Sequence, residues 1–267
     1  MQSGARVDDE EQMTGGGRTD VARRGHVVHR AAGPWSVTVL HLLRHLQAAG
    51  FTGAPRVIGD GFDEVGRETV SFVEGWTAHP RAWPPDRLPE IGALLRELHE
   101  VTGIYVPPAD ANWRPWFGRR LGAGPPVVGH CDVAPWNLLA RDDGGMALID
   151  WENAGPVDPL IELAQACWLN AQLHDDDIAA LHDLDAPAER ARHLRLIVDG
   201  YKLPAADRCS LVDLMIEVAI QDATDQARQA AVTPTSTDPE PLWGITWRTR
   251  SAAWMLTHRQ TLERALN

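Results

Sequence analysis

The chain has 267 residues, with 25 basic and 37 acidic side chains and a formal net charge of −12, a length sufficient for one large domain or two small lobes around a real core. The acidic balance argues against nucleic acid as a partner, whose phosphates need a basic footprint; it suits cationic partners, although plain solubility explains it equally well. No apolar run approaches the roughly 20 residues that span a bilayer, and the N-terminus lacks a charged-then-apolar signal pattern, so no membrane partner and a cytoplasmic location are expected.

Residues 1–13 are polar and read as a frayed end or a first edge strand. Thr14 to Arg18, with three glycines in a row, reads as a turn. Val21 to Arg24 and Val27 to Arg30 form a hairpin around Gly25-His26, ended by Gly33-Pro34. Ser36 is placed to cap a helix from Val37 to Ala49, with Val37, Leu40, Leu43 and Leu46 on one face. His41 and His45 share that helix at metal-ligand spacing, but no third ligand accompanies them. Ala54 to Ile58 and Glu68 to Val73 read as two more strands, and Glu74-Gly75 as a boundary. A helix from Asp86 to Val101 carries Leu88, Ile91, Leu94, Leu95 and Leu98 at helical spacing. A loop rich in Pro and Trp covers Pro107 to Pro126. Beyond Pro159 the pattern is helical, over Leu160 to Leu173, Ala188 to Tyr201, Ala206 to Ala231 and Trp243 to Leu266, with a Thr- and Pro-rich loop from Thr233 to Pro241.

Between these parts lie Val127 to Ala140 and Met146 to Glu152, which set Asp132, Asn137 and Asp150 among short apolar runs. His130-x-Asp132-x4-Asn137 is the spacing of a kinase catalytic loop. Phosphoryl transfer needs a carboxylate to orient the attacking hydroxyl and oxygen ligands for magnesium. Asp132 suits the first task. Asn137 and Asp150 suit the second, because Leu138 to Ile149 reads as a hairpin around Asp142-Asp-Gly-Gly145, which brings its ends together. Cys131, Cys167 and Cys209 are far apart and odd in number, and read as reduced thiols.

On these residues the chain resembles the aminoglycoside phosphotransferase family. The likeness is carried by His130, Asp132, Asn137, Ile149-Asp150-Trp151 and the segment Ala154 to Ala164. It is clearest over 126 to 168 and weaker back to about residue 14. The resemblance implies a two-lobed, protein-kinase-like α+β fold. Residues 1–75 would form a reduced N-lobe on the nucleotide side, and 76–267 a mostly helical C-lobe with the catalytic loop and substrate site. It implies ATP or GTP as phosphate donor, with adenine read by backbone near Phe72, Val73 and Glu74, and magnesium on Asn137 and Asp150. His130 would hold the loop rather than transfer protons, and Asp158 and Glu162 would order the loop and the helix after it. The acceptor would be a small hydroxylated molecule, an aminoglycoside or another cationic antibiotic among the options, met by Glu152 and by acids of the Asp213–Asp225 region, Glu217 and Asp225 first.

The chain departs from the pattern in two ways. Cys131 stands where protein kinases carry Arg, and Trp151-Glu152 where they carry Phe-Gly, which favours a small-molecule kinase over a protein kinase. The family's strand lysine and helix glutamate are both missing: the only lysine is Lys202, and the first helix holds no acid. Arg30, with His29 as the second choice, is the candidate to replace the lysine, and without the helix acid it is expected to be unpaired. The alternative reading is a pseudokinase, a ligand-binding module that transfers nothing.

Overall fold

The computed structural model describes residues 10–13 and 21–267. The expected turn with its glycines at 15–17 lies outside them. An antiparallel sheet takes up the first part of the chain: β1 (Glu11–Gln12), β2 (Val21–Arg24), β3 (Val27–Arg30), then, beyond helix α1 (Ser36–Ala48), β4 (Val57–Phe62) and β5 (Glu68–Ser71). Its order is β1-β2-β3-β5-β4. The register of β3 on β5 sets Arg30 opposite Glu68 and Val28 opposite Val70, a cross-strand placement that brings side chains together on one face.

Local chemistry moves several boundaries. Ser36 is the first helical residue and caps nothing in α1; its Oγ instead accepts from Gly33 N at 2.8 Å. Val37 is 69% exposed, and the buried face of α1 runs through Val39, Leu40, Leu42, Leu43 and Leu46. β4 starts after Pro55, which has no N–H for a ladder, and it bulges through Gly59 and Gly61, both at positive φ. β5 stops at Ser71, where its partner β3 gives way to the Gly25-His26 turn, although Phe72 N still donates to His26 O at 2.8 Å.

The chain then crosses to a helical body. Trp76 pairs with Ala140 in an isolated antiparallel bridge. A side chain on the preceding Gly75 would meet Ala140 O at 2.6 Å, so the crossing is made backbone to backbone. The body holds α2 (Leu88–Thr102), β6 (Val127–Gly129), β7 (Leu138–Ala140), β8 (Met146–Leu148), β9 (Gly155–Val157), α3 (Pro159–Asn170), α4 (Asp176–His182), α5 (Pro187–Tyr201), α6 (Ala205–Arg208), α7 (Leu211–Gln229), α8 (Pro239–Thr257) and α9 (Arg259–Leu266). Two expected long helices are each split, at Cys209-Ser210 and at His258. α8 begins inside the expected Thr/Pro loop, because Asp238 accepts from Glu240 N at 3.1 Å and Pro239 suits a first turn. α4 was not anticipated; it lacks a clear apolar period but is capped by Asp175, which accepts from Asp177 N and Ile178 N. Among the described residues no helix is long and apolar enough to cross a membrane.

The core lies around α2 and α3. Leu88, Ile91, Leu94, Leu95 and Leu98 of α2 are all buried, as their spacing predicts, and α3 is buried from Ile161 to Asn170. Each such aliphatic side chain stabilises the fold by about 2 kcal/mol. α2 and α5 touch at reciprocal glycines. A Cβ on Gly92 would overlap Ile197 O and Tyr201 N, and one on Gly200 would overlap the backbone of Pro89. Backbone cannot rotate away as a side chain can, so Gly92→Val should destabilise the protein by about 3 kcal/mol, read as a lowered midpoint in denaturant unfolding. An unchanged midpoint would show that these helices do not pack as described.

Candidate active site

One hairpin and the loop before it assemble the site. β7 and β8 pair with Leu138 opposite Leu148, and Ile149 N donates to Asn137 O at 2.9 Å. Asn137 and Asp150 therefore meet at one end of the hairpin, as their spacing predicts. Asn137 is buried and spends Nδ2 on the Asp132 carbonyl at 3.0 Å, which leaves Oδ1 as the oxygen able to face a cation. Asp150 sits at φ 62, a left-handed conformation that Asp tolerates better than most residues, and its side chain is 47% exposed.

The loop from His130 to Trp136 is held at nearly every residue. His130 Nε2 donates to Ile149 O at 2.9 Å, and its Nδ1 accepts from Asp132 N at 3.3 Å. These partners fix one neutral tautomer, and burial holds the imidazole pKa below its ordinary value. The ring is thus committed to structure, in line with the resemblance. Cys131 is fully buried at φ 64. Its N–H donates to Glu162 Oε1 at 2.5 Å, and burial pushes its thiol pKa up, away from any nucleophilic use. Asn170 Nδ2 donates to Val133 O at 2.8 Å, and Thr77 Oγ1 to Pro135 O at 2.6 Å.

Glu162 is the anchor of this arrangement. It is wholly buried on α3, with Oε2 2.6 Å from His99 Nε2, and His99 Nδ1 lies 2.8 Å from the Tyr201 hydroxyl. Burial alone would raise its pKa, but the bond and charge of His99 and the Cys131 amide lower it below the ordinary value. Gly129 is glycine because a Cβ there would overlap the Glu162 carboxylate. Asp158 caps α3 through Leu160 N at 2.9 Å and ties down the preceding loop through Ala123 N and Gly124 N.

Asp132 itself is half-buried. Burial first, then the charges of Asp150 and Asp222, push its pKa up to about 7; Asn137 and the charge of Arg248 pull the other way. A carboxylate so tuned can accept a proton near neutral pH. Asn137 Oδ1 and the Asp150 carboxylate are hard oxygen donors, and magnesium commonly takes one or two protein ligands and fills its shell with water and phosphate oxygens. The donor set fits that ion. Among the described residues no group of three or more His, Cys, Asp or Glu is arranged to hold a metal unaided. His41 and His45 are used otherwise, against Tyr105 Oη at 2.8 Å and Val101 O at 3.1 Å.

Arg30 is not the unpaired cation expected from sequence. Its Nε and Nη2 both donate to Glu68 Oε2, at 3.1 and 2.7 Å, and its Nη1 donates to Asp150 Oδ1 at 2.5 Å. The missing helix acid is thus replaced by a strand acid, in the register pair already described. Burial opposes the charge of Arg30, but Glu68 and Asp150 outweigh it and raise the guanidinium pKa. At the chain crossing, the Phe72 amide is spent on His26 O, whereas the N–H groups of Val73 and Glu74 meet no acceptor among the described residues.

The opposite end differs more from expectation. Glu152 is held in an ion pair by Arg114, which also lies over Trp35. Glu217 is exposed, and Asp225 accepts from Gln229. The acid of α7 whose charge reaches Asp132 is Asp222, and it is paired with Arg248 at 2.7 Å. Asp213 is likewise paired, with Arg259. Trp247 stacks on Trp168 and faces Trp136, with ring centroids 5.5 and 6.5 Å away. Trp136 is 38% exposed. Trp254 packs against Arg190 and His258, and Trp243 is half-exposed. Sequence reasoning also missed Arg119, whose guanidinium donates to the carbonyls of Arg114, Asn153, Ala154 and Pro156 and reaches Cys131 Sγ at 3.5 Å. It lies in the Pro/Trp loop with no spacing signal. Glu68 was findable, since it would face Arg30 once the strands were put in register.

Comparison with known proteins gives a consistent picture. Residues 105–196 match the model described as the phosphotransferase enzyme family. A trifolitoxin immunity protein from Rhizobium leguminosarum bv. trifolii is 57% identical over 260 residues, covering 97% of this chain and all of that protein. Among solved structures, a microcompartment-associated aminopropanol kinase superposes with a TM-score of 0.63 at 16% identity, over 97% of this chain and 94% of that one. An amicoumacin kinase in complex with AMP-PNP, Ca2+ and amicoumacin gives 0.69 at 12% identity, over 91% and 88%. A choline/ethanolamine kinase family protein from Mesorhizobium loti gives 0.61 at 18% identity, over 97% and 92%. These likenesses bear on the fold, which is the kinase-like α+β architecture that the motif implied.

The lowered pKa of Glu162 has a pH signature. Its ionised form adds stability above the ordinary carboxylate range, and that stability is lost as pH falls through the depressed folded-state value. Glu162→Gln should therefore cost about 3 kcal/mol at neutral pH. The gap to wild type in denaturant unfolding should narrow as pH drops below the ordinary carboxylate range. A gap that stays constant would show that the charge of Glu162 contributes nothing.

Proposed function

The chain belongs to the phosphotransferase enzyme family, and on that premise we propose that it transfers the γ-phosphate of ATP, with magnesium, to a hydroxyl of a small molecule. The observation that carries this reading is the convergence of Asp132, Asn137 and Asp150 on one hairpin end, with Arg30 reaching across to Asp150. ATP is favoured over GTP because similar structures bear adenine nucleotides, AMP-PNP in the amicoumacin kinase and ADP in an aminoglycoside phosphotransferase.

In this reading the acceptor hydroxyl donates a hydrogen bond to the Asp132 carboxylate. The hydroxyl oxygen attacks the γ-phosphorus in line, and the bond to the β–γ bridging oxygen breaks, leaving ADP. The hydroxyl proton passes late to Asp132, because the transition state is loose and positioning outweighs basicity. Asn137 Oδ1 and the Asp150 carboxylate would hold the metal, which when bound offsets charge on the β- and γ-phosphates. The Arg30 fork suits a phosphate oxygen, and Val73 and Glu74 would offer backbone to adenine. In this reading the described residues up to 75 would form the nucleotide side and those from 76 onward the acceptor side. The pseudokinase alternative loses its motive, since Arg30 and Glu68 supply the cation and acid whose absence suggested it.

The name of the 57%-identical relative supports a toxin or antibiotic as acceptor, inactivated by gaining a phosphate. A polycation fits less well than expected, because Asp213 and Asp222 are neutralised by arginines and Asp225 is bonded to Gln229. The exposed indole of Trp136, beside Trp247, favours an acceptor with a flat or apolar body.

Asp132→Asn should lower the phosphotransfer rate by about 100-fold or more while leaving Mg-nucleotide binding by calorimetry near wild type. The wild-type rate should rise with pH to a plateau above about 7, because the base must be ionised and its pKa is raised to about 7. A variant that turns over at the wild-type rate would remove Asp132 from the mechanism.

A further inference from the structure

Arg30 joins two groups that the proposed reaction uses separately. One edge of its guanidinium, Nε and Nη2, rests on Glu68 Oε2, and the remaining nitrogen, Nη1, rests on Asp150 Oδ1 at 2.5 Å. The Arg30 and Glu68 side chains are only 14% and 4% exposed, whereas Asp150 is 47% exposed. Glu68 Oε1 is buried and meets no hydrogen-bond donor among the described residues. The fixed edge of the fork is thus the Glu68 edge, and the edge facing Asp150 is the one that can change partner.

We infer that Arg30 competes with a divalent cation for Asp150, and that Glu68 is the positioning residue that keeps Arg30 where a nucleotide phosphate can draw it off. The inference rests on the reading of Asp150 as a metal ligand. Magnesium binds oxygen at about 2.0–2.1 Å, so an ion on Oδ1 would lie within a few ångströms of Nη1, and like charges at that range repel strongly where solvent is limited. Only one of the two cations can hold that oxygen well. Phosphate oxygens offer Arg30 an anion of the same geometry as the carboxylate it leaves. Metal and nucleotide should therefore bind together much better than metal binds alone, and Arg30 should be the cause of the difference.

Mn2+ is the probe, with free ion counted by electron paramagnetic resonance on the full chain without nucleotide. Arg30→Gln should bind Mn2+ about tenfold more tightly than wild type, or better. Glu68→Gln should bind it less tightly than wild type, because Arg30 then leans on Asp150 as its remaining direct carboxylate partner. Asp150→Asn should abolish binding in every background. A general loosening of the site would move Arg30→Gln and Glu68→Gln in the same direction, and opposite directions are the mark of competition. Arg30→Met serves as a second neutral variant should Gln disturb the sheet, with far-ultraviolet circular dichroism reporting folding. Equal or weaker Mn2+ binding in both neutral variants overturns the inference. Repeating the titration with AMP-PNP separates it from the reading it rests on. If the ranking of variants holds but AMP-PNP does not bind, phosphotransfer fails and the competition stands. If AMP-PNP binds and the ranking is absent, the competition fails and phosphotransfer stands.

Discussion

Everything at the site hangs from one buried carboxylate. Glu162 has no solvent to ionise into, so its charge is sustained by His99 and by the amide of Cys131. The second of these bonds reaches a residue at positive φ, a backbone state that costs a β-carbon residue of the order of 1 kcal/mol or more and persists only when its surroundings insist on it. The strain is local and its return is directional, since the bend at Cys131 turns the chain so that Asp132 follows. The restraint has a sequence cost at Gly129, where no side chain fits. It also links the loop from His130 to Trp136 through His99 and Tyr201 to α2 and α5, the helices that touch at Gly92 and Gly200. The rigidity of the helical core and the aim of Asp132 are thus a single mechanical property.

A second balance runs across the site. Asp132, Asp150 and Asp222 are close enough for the charges of the latter two to raise the pKa of the first. Arg30 stands against Asp150 on one side and Arg248 against Asp222 on the other. With both arginines in place the trio is tolerable, and the middle acid is left near neutrality in its titration. The net charge of −12 therefore says little about the site, where acids and arginines are nearly matched. A cationic acceptor inferred from bulk acidity is weakened by this local pairing.

Much of the site was legible in the chain. The spacing of Asp132, Asn137 and Asp150 encodes a loop and a hairpin, both local structures, and local structure is what spacing reports. The apolar face of α2 was legible for the same reason. What escaped was non-local. Whether Arg30 has a partner depends on which strand lies beside β3, and Glu68 is 38 residues away. Arg119 acts through carbonyls of a distant segment and carries no periodic mark. Val37 misleads for another reason, since an apolar residue stands at a plausible position while Val39 and Leu42 fill the core. The split helices show the same limit, because one unbroken apolar pattern runs on through Cys209 and His258 while the backbone does not.

In the proposed reading Arg30 takes the place of a phosphate-site lysine, and this also changes what the site can react with. A lysine amine is nucleophilic when it loses its proton, and nucleotide analogues carrying an acyl or sulfonyl group exploit that. A guanidinium keeps its proton at any accessible pH, and the bonds to Glu68 and Asp150 hold it more firmly still. The chain's single lysine, Lys202, caps the far end of α5 in a left-handed conformation. Lysine-directed affinity reagents of that kind would pass the proposed nucleotide site without marking it, and a survey that counts kinases by such labelling would overlook a protein built this way.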